Sequence, residues 1–270
     1  MYSFLEKEFK VLDKGLIRVV DVMGDDDAIV DSARISYGKG TKTKNQNRGL
    51  IRYLMKHRHT SPFEMCEIKL HLKMPIFVAR QWIRHRTASL NEYSARYSIL
   101  EDDFYIPTLE DISKQSSINN QGRGDAIEEG QAKKIQADFE EASKKAYQTY
   151  QDMLDQGVAR ELARSILPTN IYTSLYWKID LHNFLHFIAL RADHHAQLEI
   201  RKYAEVMLDI VKEWVPLVYE AFMDYRVNST PVSGIEKDLL QRKSDDLSSL
   251  GKTEKLEFEK NWPLTTSNKE

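Results

Sequence analysis

Residues 66–74 read CEIKLHLKM, and every second side chain is apolar. Cys66, Ile68, Leu70, Leu72 and Met74 fall on one face of an extended chain; Glu67, Lys69, His71 and Lys73 fall on the other. Side chains of a β-strand alternate between faces, so this strict alternation predicts a strand with one buried and one wet side. Pro75 follows. It offers no N–H to a ladder and suits the first turn of a helix. The stretch behind it, IFVARQWIRHR (76–86), spaces Ile76, Val78, Ala79, Trp82 and Ile83 for a helix.

On the N-terminal side, GLIRVVDVM (15–23) is rich in β-branched residues and predicts a second strand. Gly24 and three aspartates come next, and Asp26 or Asp27 is placed to cap a helix over AIVDSARIS (28–36). Residues 38–48 are polar and read as a loop, and GLIRYLMKHRH (49–59) as a helix through Leu50, Tyr53 and Leu54. On the C-terminal side, 111–131 holds few apolar residues and Gly122, Gly124 and Gly130, which reads as a mobile insertion. A long amphipathic helix is predicted over 133–157 through Ile135, Phe139, Ala142, Ala146, Tyr150 and Met153, with Gly157 closing it. A short helix over 158–167 stops at Pro168. A last long helix starts at an Asp180 cap and continues to about Trp214, ahead of Pro216. Beyond about Arg226 the chain is polar and charged. The expected organisation is one α+β domain over 1–226 with an insertion near 111–131, then a polar C-terminal extension over 227–270.

Hydrophobic residues make up 41% and charged residues 30%, the balance of an ordinary soluble globular chain. No apolar run reaches the roughly 18–20 residues of a spanning helix, and the N-terminus has no apolar signal core, so a cytoplasmic protein is expected. The net charge of −2 argues against a nucleic-acid binder that uses its whole surface; an anion site has to be local. Cys66 is the single cysteine, which excludes an intrachain disulfide. Its parity puts it on the apolar face of its strand, a poor place for a nucleophile. No GxSxG, GxxxxGK[ST] or GxGxxG pattern occurs, so the serine-hydrolase, P-loop and dinucleotide-fold readings lack their markers.

The local basic cluster is Arg80–Tyr97, RQWIRHRTASLNEYSARY, with four arginines against one glutamate. Guanidinium forks grip phosphate oxygens, and Ser89, Asn91, Ser94 and Tyr97 add hydroxyl and amide groups. A solvated face is the plain alternative. A second cluster lies on the last predicted helix, where Arg191 and His195 share a face. His182 and His186 share another, with Asp193 further on; they offer a metal trio only without an HExxH motif to support it. Arg160 and Arg164, also four apart, read alone as a solvated helix face.

The spacing Arg84-His85-Arg86, seven residues, then Ser94 resembles the signature of flavin-dependent thymidylate synthases, the ThyX family. The similarity extends through RHRTASLNEYSARYS (84–98), HTSPFE (59–64), PIFVARQW (75–82), ARELARSILP (159–168) and ALRADHHAQLEIR (189–201). It spans roughly residues 15–225, without the insertion and the tail. The resemblance implies an α+β subunit with a twisted, mainly antiparallel sheet flanked by long helices, assembled as a homotetramer with active sites between subunits. It implies FAD as hydride carrier, NADPH as reductant, 5,10-methylenetetrahydrofolate as carbon donor, and dUMP as substrate. FAD would be held by Arg84, His85 and Arg86 with Ser36, Ser61 and Glu92, and by Asp180, Leu181, His182 and His186. The family often carries Asn or Arg where this chain has Asp180, His182 and His186. Gln81, Arg84, Glu92, Tyr93, Ser94, Ala95, Arg96, Arg164 and Arg191 would hold dUMP, and His59 and Tyr97 would lie near the folate or flavin ring.

That inventory is chemically coherent. Thymidylate synthesis by thiol addition needs a reactive cysteine, and hydride from a flavin is another route. Arg191 would stabilise negative charge developing on the uracil; a guanidinium cannot serve as a base near neutral pH. Ser94, with no histidine–carboxylate pair evident beside it, reads as a ligand rather than a nucleophile. Two rivals remain at this level. A nucleotide or nucleic-acid binding module would use only the basic cluster, and a metal-dependent phosphohydrolase only His182, His186 and Asp193. No metal and no membrane or nucleic-acid partner is expected.

Overall fold

The structure is a computed structural model that describes residues 2–35, 44–117, 122–242 and 246–262. Strands are β1 (Glu8–Val11), β2 (Gly15–Met23), β3 (Glu67–Pro75), β4 (Ser89–Glu92), β5 (Ser113–Gln115), β6 (Arg123–Ala126) and β7 (Tyr172–Asp180). Helices are α1 (Asp26–Arg34), α2 (Lys44–Lys56), α3 (Ser61–Glu64), α4 (Ile76–Trp82), α5 (Glu129–Asp155), α6 (Arg160–Ala163), α7 (Leu181–Arg191), α8 (Leu198–Trp214), α9 (Pro216–Phe222), α10 (Gly234–Arg242) and α11 (Lys252–Asn261). Two compact units result, Met1–Phe222 and Met223–Glu270.

The alternating stretch 66–74 becomes β3, the middle strand of a five-stranded antiparallel sheet ordered β1-β2-β3-β7-β4. Leu70 stands opposite Val19 on one side and Trp177 on the other. Ile68, Leu70, Leu72 and Met74 are fully buried, while Glu67, Lys69, His71 and Lys73 stay partly or wholly exposed. Aromatic packing closes the buried face. Trp82 at the end of α4 meets Trp177 of β7 edge-on at 5.2 Å, Phe187 of α7 at 4.4 Å and Tyr203 of α8 at 5.9 Å. Each such pair adds about 0.5–1.5 kcal/mol beyond burial. The α+β class with a mainly antiparallel sheet holds.

Several local expectations are corrected. The cap of α1 is Asp25, whose Oδ1 accepts from Ala28 N at 2.9 Å. Asp26 instead accepts from Leu217 N (2.9 Å) and Val218 N (3.1 Å), capping α9 after Pro216. Part of the expected loop 38–48 is helical from Lys44. Asn47 is tied down there, since Arg34 donates to it (2.7 Å) and it donates to Asp27 (3.1 Å). Residues 36–43 lie outside the described residues. Pro75 stays in the ladder opposite Tyr172, and α4 ends at Trp82, so Arg84, His85 and Arg86 fall in the turn beyond the helix.

The insertion is not structureless. It carries the hairpin β5–β6, with Ser113 opposite Ala126 and Gln115 opposite Arg123. Helix α5 starts at Glu129, and its buried stripe runs through Ala132, Ser143 and Tyr150, leaving Phe139 and Ala142 exposed. Polar contacts hold that face: Asn170 Nδ2 donates to Ser143 Oγ at 3.0 Å, and the Tyr147 hydroxyl to the Leu100 carbonyl at 2.9 Å. Strand β7, not expected from the sequence, carries the alternation Thr173, Leu175, Trp177, Ile179 inward. Its mixed polar and aromatic outer face hides the period.

The last helix breaks after Arg191 and resumes at Leu198. The intervening turn is an aspartate device. Asp193 Oδ1 accepts from His195 N at 2.8 Å, and its carbonyl accepts from Ala196 N at 2.9 Å, which competes with the helical ladder. Arg191 and His195 therefore do not share a helical face, and Asp193 is not in helical register with His182 and His186. In the second unit, α10 and α11 bury Leu239, Leu250 and Phe258 together. Among the described residues, no helix is long and apolar enough to cross a membrane.

Candidate active site

The end of α4 is where the site begins. The first N–H groups of α4 are held by the loop before β7: Ile76 N donates to Ile171 O (2.9 Å) and Phe77 N to Thr169 O (3.0 Å). With Trp82 buried, the turn that follows projects Arg84 and His85 beside the end of α7. Arg191, the last residue of α7, donates from Nε to His85 Nε2 at 3.0 Å and from Nη2 to the Gln81 carbonyl at 3.4 Å. Accepting through Nε2 makes His85 the neutral tautomer protonated at Nδ1. Burial, then the Arg191 charge, then His186 push its pKa down to about 4. Its ring stands edge-on to Phe187 at 4.8 Å and to His186 at 6.3 Å. Burial and the Arg84 charge lower Arg191 from its usual value. Its partners are a neutral imidazole and a peptide carbonyl, so neither cancels its charge.

A second cluster forms where β4 leaves the sheet. A cavity of about 320 Å³ is walled by Glu92, Tyr93, Ser94, Ala95, Arg164 and Thr173, among others. Glu92 is fixed by Thr173 Oγ1, which donates to its carboxylate at 2.8 Å, and Tyr93 N donates to Ser174 O at 2.8 Å. The turn after it is braced by α6, because Arg160 donates to the Tyr97 carbonyl (2.9 Å) and Arg96 pairs with Glu161 (3.3 Å). Ser94 Oγ accepts from Arg96 N at 3.3 Å, and the described bonds give it no base. Ile76 lines this cavity and Gln81 sits roughly 8 Å further along α4, so one short helix joins the two clusters.

The other expected site residues are dispersed. Arg84, Arg86 and Arg96 are exposed, and Tyr97 is 76% exposed. Asp180 caps α7, accepting from Asn183 N at 2.9 Å. Leu181 is fully buried and its N–H donates to the Cys66 carbonyl at 2.8 Å, so its side chain packs in the core. His182 is half-buried and His186 exposed. Ser61 opens α3, and His59 just before it stacks on Tyr53 at 5.8 Å. Ser36 lies outside the described residues. Cys66 is buried, with its Sγ 3.6 Å from the Asp25 carbonyl; burial and then Asp25 and Asp26 push its thiol up to about 11, the opposite of an activated nucleophile. Asp193 pairs with His195 Nδ1 at 2.8 Å on an exposed turn, away from any trio with His182 and His186.

Sequence reasoning assigned no role to Thr173, Arg123, Gln197 or Glu199. Glu199 alone carried a signal, since it falls four residues before Tyr203, on the buried stripe of α8.

Residues 18–217 match the model of the family described as thymidylate synthase complementing protein. The chain belongs to that family. Among its relatives, the flavin-dependent thymidylate synthase of Wolbachia pipientis is 58% identical over 240 residues, 89% of this chain and 84% of the relative. That of Rickettsia conorii is 55% identical over 253 residues, 89% and 86% of the two chains. A similar crystal structure is the UMP/dUMP methylase PolB of Streptomyces cacaoi bound with 5-Br dUMP, with a TM-score of 0.75, 31% identity, and coverage of 82% of this chain and 100% of that one. The family span runs from β2 into α9 and leaves the second unit outside it.

Proposed function

We propose that this protein is a flavin-dependent thymidylate synthase that converts dUMP to dTMP with 5,10-methylenetetrahydrofolate as carbon donor and NADPH as reductant. The observation that carries the reading is the juxtaposition, across α4, of an uncancelled Arg191 cation with a cavity walled by Glu92, Tyr93, Ser94 and Arg164, in a chain whose one thiol is buried. The cavity volume lies at the low end for small-ligand sites. The relatives at 55–58% identity are named thymidylate synthases, which favours dUMP over UMP.

The residues fit the roles. Arg164, Arg96 and Ser94 offer a guanidinium pair and a hydroxyl to the nucleotide phosphate. Glu92, Tyr93, Ala95, Gln81 and Arg84 complete the dUMP set. Arg191 faces the uracil N3 and carbonyl region and stabilises negative charge developing there. Its neutral partner His85 orients the fork without weakening the field. The exposed donors Arg84 and Arg86, with His85, Ser61, His182 and His186, have the chemistry to hold a pyrophosphate and flavin ring; Ser36, Glu92, Asp180 and Leu181 complete that set. His59 and Tyr97 offer exposed rings for the pterin or flavin. When bound, FAD supplies the hydride that completes the methyl group, and NADPH re-reduces it. The family resemblance favours a site completed between subunits of a homotetramer, each chain supplying part of the inventory. The enzyme works in the cytoplasm.

The test is an absorbance spectrum of the purified protein with FAD, then anaerobic NADPH with and without dUMP, then folate donor. Flavin bands that bleach, followed by dTMP, are expected. A colourless protein that takes up no FAD and oxidises no NADPH overturns the proposal.

A further inference from the structure

Glu199 is 1% exposed, and a carboxylate that deeply buried needs partners on both oxygens. It has them. Oε1 accepts from the Tyr105 hydroxyl at 3.1 Å and from Arg123 of β6. Oε2 accepts from Gln197 Nε2 at 2.8 Å. Burial and the adjacent Glu199 charge raise the Tyr105 pKa, so its hydroxyl stays a donor at any working pH. Gln197 in turn accepts, through Oε1, from Gln81 Nε2.

The direction of this chain is the informative part. An amide has one donating and one accepting end, whereas a carboxylate only accepts. With Glu199 at its head, Gln197 has to donate inward and accept outward. Gln81 then has to donate to Gln197, which leaves its side-chain amide oxygen as the accepting end beyond that bond. Reversing either amide puts two acceptors or two donors face to face, and an unmade hydrogen bond beside a buried charge is costly.

We propose that Glu199 is a positioning residue that fixes Gln81 as a hydrogen-bond acceptor towards an N–H or O–H of the nucleotide, with Arg123 of the hairpin supplying the countercharge. This rests on the dUMP reading above, since Gln81 serves the nucleotide there. The insertion thereby gains a role, because its Arg123 holds the head of the chain that sets substrate polarity.

The experiment uses the full-length, FAD-loaded enzyme and two variants, Glu199→Gln and Gln197→Met. In Glu199→Gln the head group can donate as well as accept, so the polarity is no longer imposed. In Gln197→Met the link is cut at an exposed side chain; Glu199 loses its Oε2 partner and keeps Tyr105 and Arg123 on Oε1. Both are expected to raise the dUMP Kd and KM about tenfold, the effect of one hydrogen bond, with kcat and FAD content little changed. Two analogues identify the donor: N3-methyl-dUMP lacks the ring N–H and 2′,3′-dideoxy-UMP lacks the 3′ hydroxyl. The one that lacks the group read by Gln81 binds wild type and variants equally. Normal dUMP affinity in Gln197→Met overturns the proposal, even where Glu199→Gln fails to fold. Loss of thermal stability without a change in KM likewise makes Glu199 a structural residue only. A wild-type enzyme that takes up FAD but not dUMP overturns the dUMP reading itself, and is told apart from these outcomes by the wild-type titration.

Discussion

In the proposed function the Arg191–His85 pair sets the chemistry of the site, and its properties are testable one residue at a time. A guanidinium donates from Nε to His85 while turning its other nitrogens elsewhere; an ammonium has no such fork. Arg191→Lys is therefore expected to lower kcat by about 10²–10³, in the range of a lost oxyanion donor, with a smaller effect on dUMP binding. Steady-state and single-turnover kinetics check this, and a kcat within twofold of wild type rules out the stabilising role. His85 gives a pH prediction. Its folded pKa, about 4, lies below the value near 6.5 of a free imidazole. Between these values the unfolded chain binds a proton that the folded chain refuses. Stability is full above about pH 6.5 and is lost as pH falls towards 4. His85→Gln retains an acceptor for Arg191 but cannot titrate, so its thermal midpoint should decline less over that window. Parallel decline in both proteins excludes His85 as the cause. Cys66→Ala should keep dTMP formation at near wild-type kcat; its loss in a folded variant refutes the thiol-free mechanism.

At the level of elements, the join between β2 and α1 shows how tightly the pieces fit. Gly24 has φ +79°, and a Cβ there would lie 2.6 Å from Cys66 Sγ. Gly24→Ala is expected to destabilise by about 1–3 kcal/mol, from the left-handed backbone and the clash together. Adding Cys66→Ala removes the clash but not the backbone strain. Thermal or urea melts of the double variant should show recovery of part of the loss beyond additivity; strict additivity removes the steric explanation. The break after α7 belongs to the same scale. The sequence reads as one helix through 192–197, but Asp193 hydrogen-bonds to the backbone and ring of His195 where α7 has ended at Arg191, whose Nε donates to His85. The cap assignment failed for a related reason. Asp25, Asp26 and Asp27 are equivalent as local caps, and only the packing of α9 shows that Asp26 serves a second helix.

The whole molecule presents the candidate site as two half-inventories on one chain, Arg191 with His85 and Gln81, and Arg164 with Glu92 to Ala95. If these halves meet across a subunit boundary, mixing protomers should restore what each lacks. Arg191→Ala and Arg164→Ala, each inactive alone, are expected to regain dTMP synthesis after being unfolded and reassembled together, with light scattering reporting a tetramer. Absence of any recovery in a mixed tetramer places both arginines in the same site of the same chain.

What is local is legible in the chain alone. Strict alternation named β3, β-branched content named β2, and parity alone buried Cys66, because an uninterrupted period reports a face without reference to any partner. The ordered blocks of 84–98 and 189–201 carried the family, since residue identity and order are written in the chain. Tertiary structure decided the rest. Strand β7 exists because β3 and β4 pair with it, and its Thr173 and Ser174 look ordinary until Glu92 and Tyr93 bond to them. Helix α5 buries Ser143, bonded to Asn170, while Phe139 of the expected apolar stripe stays exposed. The spacing puts Glu199 on the buried stripe of α8, but only the approach of Tyr105 and Arg123, both far away in sequence, makes it a partnered buried acceptor. Periodicity and capping are settled within a few residues, whereas a buried charge and a strand pairing are stabilised only by groups that the fold brings from elsewhere.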